Sequence, residues 1–154
     1  MNTGSTMFLR IVIYLIGLVV FGVLGFGIPY VLVSNSVGMY FPILIAMYLP
    51  AVPFLFALYQ GHLLLNYIDA NTAFSEQSVT AIWIIKYCAA LVCIFYTTLL
   101  PYVYYVAELD DAPGAIAINL VFIFAPLILA VFAAVLQRLL QTAIDIKSEN
   151  DLTV

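Results

Sequence analysis

Hydrophobic positions fill four long runs, and polar positions gather in the short stretches between and after them. The runs cover about residues 11–33, 40–65, 81–106 and 115–136. Each passes the roughly 18 apolar residues expected of a membrane-crossing helix and suffices for a ~30 Å hydrocarbon core at 1.5 Å per residue. The pattern predicts an all-α integral membrane four-helix bundle, with residues 1–154 forming a single four-span transmembrane domain and residues 137–154 a tail. The first run is too long for the apolar part of a signal peptide, and no A-x-A-like cleavage site follows it, so it reads as a retained span. Pro29 with Tyr30 predicts a kink and an interfacial aromatic, followed by a turn at SNSVG. Pro50, Pro53 and Pro126 predict bends in the second and fourth helices, because proline has no N–H for the preceding turn.

Two helices outrun the bilayer. In the loop Asn66–Trp83, Ser75 has the chemistry of an N-cap, Glu76 suits the positive end of a helix dipole, and Phe74 with Val79 has the spacing of a hydrophobic staple. A helix from Glu76 to Val106 is roughly 45 Å long. The fourth helix continues past Arg138 with an apolar stripe, Leu139, Leu140, Ala143 and Ile144. That stripe leaves Gln137, Gln141, Asp145 and Ser148 facing away. The partner expected for it is the start of the third helix, through Val79 and Ile82. Lys86 then falls near the headgroups, where it is expected to snorkel or to pair with Asp69 or an acidic tail residue.

Composition agrees with lipid as the solvent: 66% of the 154 residues are hydrophobic and 8% are charged. The formal charge is −4 with only four basic residues, Arg10, Lys86, Arg138 and Lys147, too few and too scattered for direct nucleic-acid binding. With four spans all four fall at one end, and the positive-inside rule makes that end cytoplasmic, together with both termini. The chain is thus expected to be a multi-pass membrane protein, with the bilayer as its first partner and a homo-oligomer allowed. Cys88 and Cys93 point to different sides of one helix and read as inert thiols.

Little here suggests chemistry. His62 lacks a second ligand at metal spacing and reads as an interfacial residue. The acidic outer loop with Glu108, Asp110 and Asp111 reads as a solvated turn, and Tyr102, Tyr104 and Tyr105 as an aromatic belt. No span carries a charge near mid-bilayer, where a transporter or proton relay needs one. Asn119, Thr97 and Thr98 are the notable intramembrane polar residues, expected to make interhelical hydrogen bonds. No catalytic set, metal-ligand set or phosphate loop is present, so neither enzymatic activity nor a cofactor is expected.

The loop IDANTAFSEQSV, Ile68–Val79, and the ending LLQTAIDIKSENDLTV, Leu139–Val154, resemble a bacterial family of four-helix membrane proteins classed as a domain of unknown function. The ending follows the family pattern A-x-x-I-K-x-E-N-D-L-T closely. The loop departs from it at Gln77, Ser78 and Val79, where Asn-Val often follows the acidic residue. The resemblance implies a neighbour: members are typically encoded beside a small Cro-type helix-turn-helix regulator, which the membrane protein would anchor or tune. The partner-binding residues expected on that basis are Asp69, Phe74, Ser75 and Glu76 in the loop and Lys147, Glu149, Asn150 and Asp151 in the ending. The competing expectation is a small transporter, channel subunit or toxin-immunity protein, which would use the proline breaks to expose backbone carbonyls within the bilayer.

Overall fold

A computed structural model describes residues 3–27, 29 and 37–152 of the chain. Four helices follow one another: α1 (Thr3–Gly22), which runs into a π-helical turn (Val23–Gly27), α2 (Val37–Asp69), α3 (Glu76–Leu109) and α4 (Gly114–Leu152). Each holds a segment long and apolar enough to cross a membrane. The expected kink at Pro29 and Tyr30 and the turn at SNSVG involve residues outside the described ones. The fourth helix continues past Arg138 as expected, and the ending forms its last turns, helical to Leu152.

Prolines do not end these helices. α2 runs through Pro42, Pro50 and Pro53, α3 through Pro101 and α4 through Pro126. In water an interior proline costs about 3 kcal/mol, but membrane helices tolerate it because neighbouring groups satisfy the freed carbonyls.

The hairpin turns are set by Asx residues in the left-handed region. Asn71 has φ 57°, and the N–H of Thr72 reaches back to the Tyr67 carbonyl at 2.9 Å while that of Asn71 reaches Ile68 at 3.1 Å. These two bonds form a Schellman motif that satisfies the last carbonyls of α2. Asp111, φ 51°, does the same for α3, with Ala112 N–H on the Ala107 carbonyl at 2.9 Å. Pro113 then precedes α4, where a missing N–H costs nothing. Asp111, the third acid of the loop between α3 and α4, is therefore a helix terminator.

The bundle is built on α3, which α2 covers on one side and α4 on the other, while α1 rests mainly on α2. Buried and half-buried positions of α4 include Asn119, Ile123, Pro126, Ala130, Ala133, Gln137, Leu140 and Ile144. Those of α3 include Ser78, Ile82, Ile85, Ala89, Val92, Tyr96, Leu99, Val103 and Val106. Both series alternate steps of three and four, the repeat of a left-handed helix pair, and the alanines let the backbones approach closely.

That seam keeps most of the stripe expected beyond the bilayer, with Leu140, Ala143 and Ile144 half-buried and Asp145 and Ser148 exposed, and departs from it at three positions. Gln137 and Gln141 are half-buried and face α3, whereas Leu139 is 63% exposed. The seam entering from Ala130 and Ala133 fixes which side of α4 meets α3, and the local hydrophobic stripe does not override it.

Candidate functional site

α1 begins, α2 ends, α3 begins and α4 ends at one end of the bundle, so the loop and the ending singled out in the sequence share a collar. Ser75 is the N-cap of α3: its hydroxyl accepts from the Ser78 N–H at 3.4 Å, and its carbonyl from the same N–H at 3.0 Å. Ser78 is fully buried and donates from Oγ to the Thr72 carbonyl at 3.4 Å, tying loop to helix. Phe74 stays 63% exposed beside a buried Val79, too open for the staple that the spacing suggested.

Asp69 does not meet Lys86. Its carboxylate accepts from Arg10 Nη2 at 2.7 Å, and the same nitrogen donates to Asn66 Oδ1 at 2.7 Å, clamping α1 to the end of α2. Lys86 donates instead to Gln137 Oε1 at 2.9 Å, with its ammonium 4.8 Å from the Tyr87 ring centroid. Glu76 accepts from Gln141 Nε2 at 3.3 Å, and Gln141 also reaches Asp145 within α4 at 3.3 Å. The pairing has a simple cause: heptad register sets Gln137 and Gln141 opposite Lys86 and Glu76, and Arg10 faces α2 because α1 packs there.

Beyond Ile144 the helix is exposed. From Gln141 to Leu152 it runs roughly 16 Å at 1.5 Å per residue, and residues 145–150 are all exposed, including Lys147, Glu149 and Asn150. The Asp151 side chain lies outside the described ones. Among the expected partner-binding residues, Asp69, Ser75 and Glu76 are thus engaged in holding the collar together, while Phe74, Lys147, Glu149 and Asn150 are on its surface.

Aromatic residues mark two levels along α3. Trp83 and Tyr87 pack at 4.5 Å between centroids near the collar, and Tyr102, Tyr104 and Tyr105 lie at the far end. From Tyr87 to Tyr104 the rise is about 26 Å, close to the thickness of a hydrocarbon core. Tyr14 and His62 lie at the collar level too, ring centroids 5.5 Å apart and the hydroxyl 3.4 Å from Nδ1. The collar-side belt escaped the sequence reading because its members come from three helices; the aromatic content of Trp83 and Tyr87 was the available signal.

Between these levels the intramembrane polar residues behave unexpectedly. Thr97 and Thr98 donate to the Cys93 and Ile94 carbonyls of their own helix, at 2.8 and 2.9 Å, and make no bridge between helices. Asn119 is 5% exposed, and neither its Oδ1 nor its Nδ2 has a partner.

The helices also line a partly open cavity of about 620 Å³. It is lined from all four: Ile13 to Leu24 on α1 and its π-helical turn, Pro50 to Gly61 on α2, Ile85 to Tyr96 on α3, and Phe122 to Leu129 on α4. Tyr96 and Phe122 stack across it, centroids 5.0 Å apart and planes 17° from parallel. It exists because α1 rests on α2 and α4 on α3 without the two outer helices packing on each other. Water is a poor filling, because each molecule needs about two to four polar partners. The lining residues supply the Tyr96 hydroxyl, the Cys88 thiol and carbonyls that Pro50 and Pro126 leave without an N–H.

Residues 33–154 match the family described as "Protein of unknown function (DUF2975)". The chain belongs to that family. A relative in Bacillus subtilis (strain 168), "Uncharacterized membrane protein YoaS", is 52% identical over 160 residues and covers all of both chains. No solved structure matches. Together with the four apolar helices, these likenesses make this DUF2975 member a multi-pass membrane protein. The family match takes in α2, α3 and α4, the three helices that share the core. α1 precedes it, and adds Arg10 to the collar and one wall to the cavity.

Proposed function

We propose that this protein is a binding protein rather than an enzyme. In this reading it sits in the bacterial cytoplasmic membrane with both termini inside and presents the collar to a small cytoplasmic protein. The observation that carries the reading is the end of α4, exposed over residues 145–150 and extending past the level of the α3 N-cap. A helix that needs only to span would stop near Gln137. Charge is graded along it: Arg138 lies nearer the bilayer, and Asp145, Glu149 and Asp151 lie farther out with Lys147 among them. An acidic end suits a basic partner, and a helix-turn-helix regulator, which the family resemblance implies, carries such a surface for phosphate contacts. Holding that surface would keep the regulator off DNA. The test is co-purification of the regulator encoded nearby: capture by the full chain is expected, and loss on removing residues 147–154. Equal capture without them would sink the assignment of Lys147, Glu149, Asn150 and Asp151.

A second reading, a small transporter, channel subunit or toxin-immunity protein, is favoured by one observation, the placement of Pro50 and Pro126 on the interhelical cavity. Solute flux in liposomes that depends on Pro50 or Pro126 and not on residues 147–154 would establish it.

A further inference from the structure

We propose that the interhelical cavity is a lipid site: it takes one acyl chain of a membrane phospholipid, whose phosphate lies at the collar between Arg10 and Lys86. Three features of the cavity select this occupant. Its shape is elongated along the bundle: the lining runs from Ile85 to Tyr96 on α3 and from Pro50 to Gly61 on α2, each roughly 16 Å of rise. Spread over that length, 620 Å³ gives a bore of roughly 7 Å, and carbon chains in contact lie about 4 Å apart. An alkyl chain therefore fits lengthwise with room for its thermal disorder. The wall is apolar and the cavity is not closed; among the described residues α1 packs on α2 and α4 on α3, which leaves the gap between α1 and α4 as the way in from the bilayer. No protein segment is required to enter, and acyl chains are the apolar molecules in contact with that opening.

Charge orients the guest. At the collar end, Ile13 and Ile85 line the cavity, with Arg10 one turn beyond the first and Lys86 next to the second. Asp69 is also there, paired to Arg10 at 2.7 Å, so the three groups sum to a single positive charge. Lys86 spends one N–H on Gln137, and an ammonium has three to give. The far end, at Leu24, Pro50, Tyr96 and Phe122, has no charged residue in its lining. A phosphate is thus favoured at one end only, which puts the chain in the collar-side half of the membrane.

The test uses the full-length protein purified in a mild detergent. Native mass spectrometry of the wild type is expected to show about one phospholipid retained per chain. Ala57→Phe and Ala125→Phe, which add a ring to the wall, are expected to lower retention at least tenfold. Val121→Phe, outside the lining, is expected to leave it unchanged. Lys86→Met is expected to lower retention of phosphatidylglycerol about fivefold. A measurement on the wild type does not depend on how the variants fold: adding phosphatidylglycerol to delipidated protein is expected to raise its Tm by several degrees. No retained lipid, or equal retention in the ring-adding variants, would overturn the site. An unmoved Tm would do the same, and equal phosphatidylglycerol retention in Lys86→Met would overturn the placement of the phosphate. Removing residues 147–154 is expected to leave lipid retention intact, so this inference and the docking role stand or fall separately.

Discussion

Replacing Asn119 with leucine is expected to stabilise the protein. Asn119 sits on the α3-facing seam of α4, one step of four before Ile123, at 5% exposure, with both amide atoms unpartnered. Each buried unsatisfied polar group costs about 1–3 kcal/mol. The unfolded reference in a membrane also finds partners for such groups, which holds typical intramembrane hydrogen-bond effects near ~0.6 kcal/mol. Weighing the two orphaned atoms against that reference gives a net gain of about 1–3 kcal/mol for Asn119→Leu, a side chain of similar shape that fits a heptad seam. The assay is SDS titration of the detergent-solubilised protein followed by far-UV circular dichroism. Thr98→Val is the control: Thr98 is exposed and its hydroxyl bonds only its own helix, so a change within about 0.5 kcal/mol is expected. A loss of more than about 1 kcal/mol in Asn119→Leu would refute the reasoning, since it would mean that the amide has a partner.

Other outcomes follow from the collar. Ser75→Ala removes the α3 N-cap and is expected to cost about 1 kcal/mol, with faster hydrogen exchange over residues 76–80. A double-mutant cycle of Arg10→Met and Asp69→Leu should give a coupling of about 0.5–1 kcal/mol, because the pair is short but its side chains are 32% and 36% exposed; additive single effects would remove the clamp between α1 and α2. Orientation is checked in intact cells with Cys88 and Cys93 replaced by serine. A cysteine replacing Asp111 is expected to react with an impermeant maleimide from outside, and one replacing Ser148 only after permeabilisation.

The fold was legible where physics is local. Apolar runs of membrane length gave four helices, and Ser75 read correctly as a cap because capping needs only a hydroxyl followed by free N–H groups. The helices extend beyond the apolar runs: α2 starts at Val37 and α3 reaches Leu109, and they continue through interfacial residues until an Asn71 or Asp111 turns the chain. The partners of charged residues were less legible. Arg10 with Asp69 and Lys86 with Gln137 depend on which helices are neighbours, and placing every basic residue at one end leaves several pairings open. The cavity was invisible for the same reason, being a gap between helices that do not meet.

The end of α4 shows how the phase of a helix is decided. Read locally, Leu139, Leu140, Ala143 and Ile144 form an apolar stripe and Gln137 and Gln141 its opposite. A rigid helix has one phase along its whole length, however, and that of α4 is set within the membrane, where Ile123, Ala130 and Ala133 are buried. Steps of four and three carry that face to Gln137, Leu140 and Ile144, and Gln141 falls beside it. The two glutamines are tolerated there because α3 offers a donor in Lys86 and an acceptor in Glu76, and an amide can serve either. The same phase turns Leu139 and Ile146 outward, 63% and 62% exposed, on the side of the collar that α3 does not cover. A partner docked on the α4 end as proposed would meet those two apolar side chains together with the acidic groups, and Leu139→Asp with Ile146→Asp is expected to weaken its capture at least tenfold without moving the SDS midpoint. Unchanged capture would confine the docking surface to charge alone.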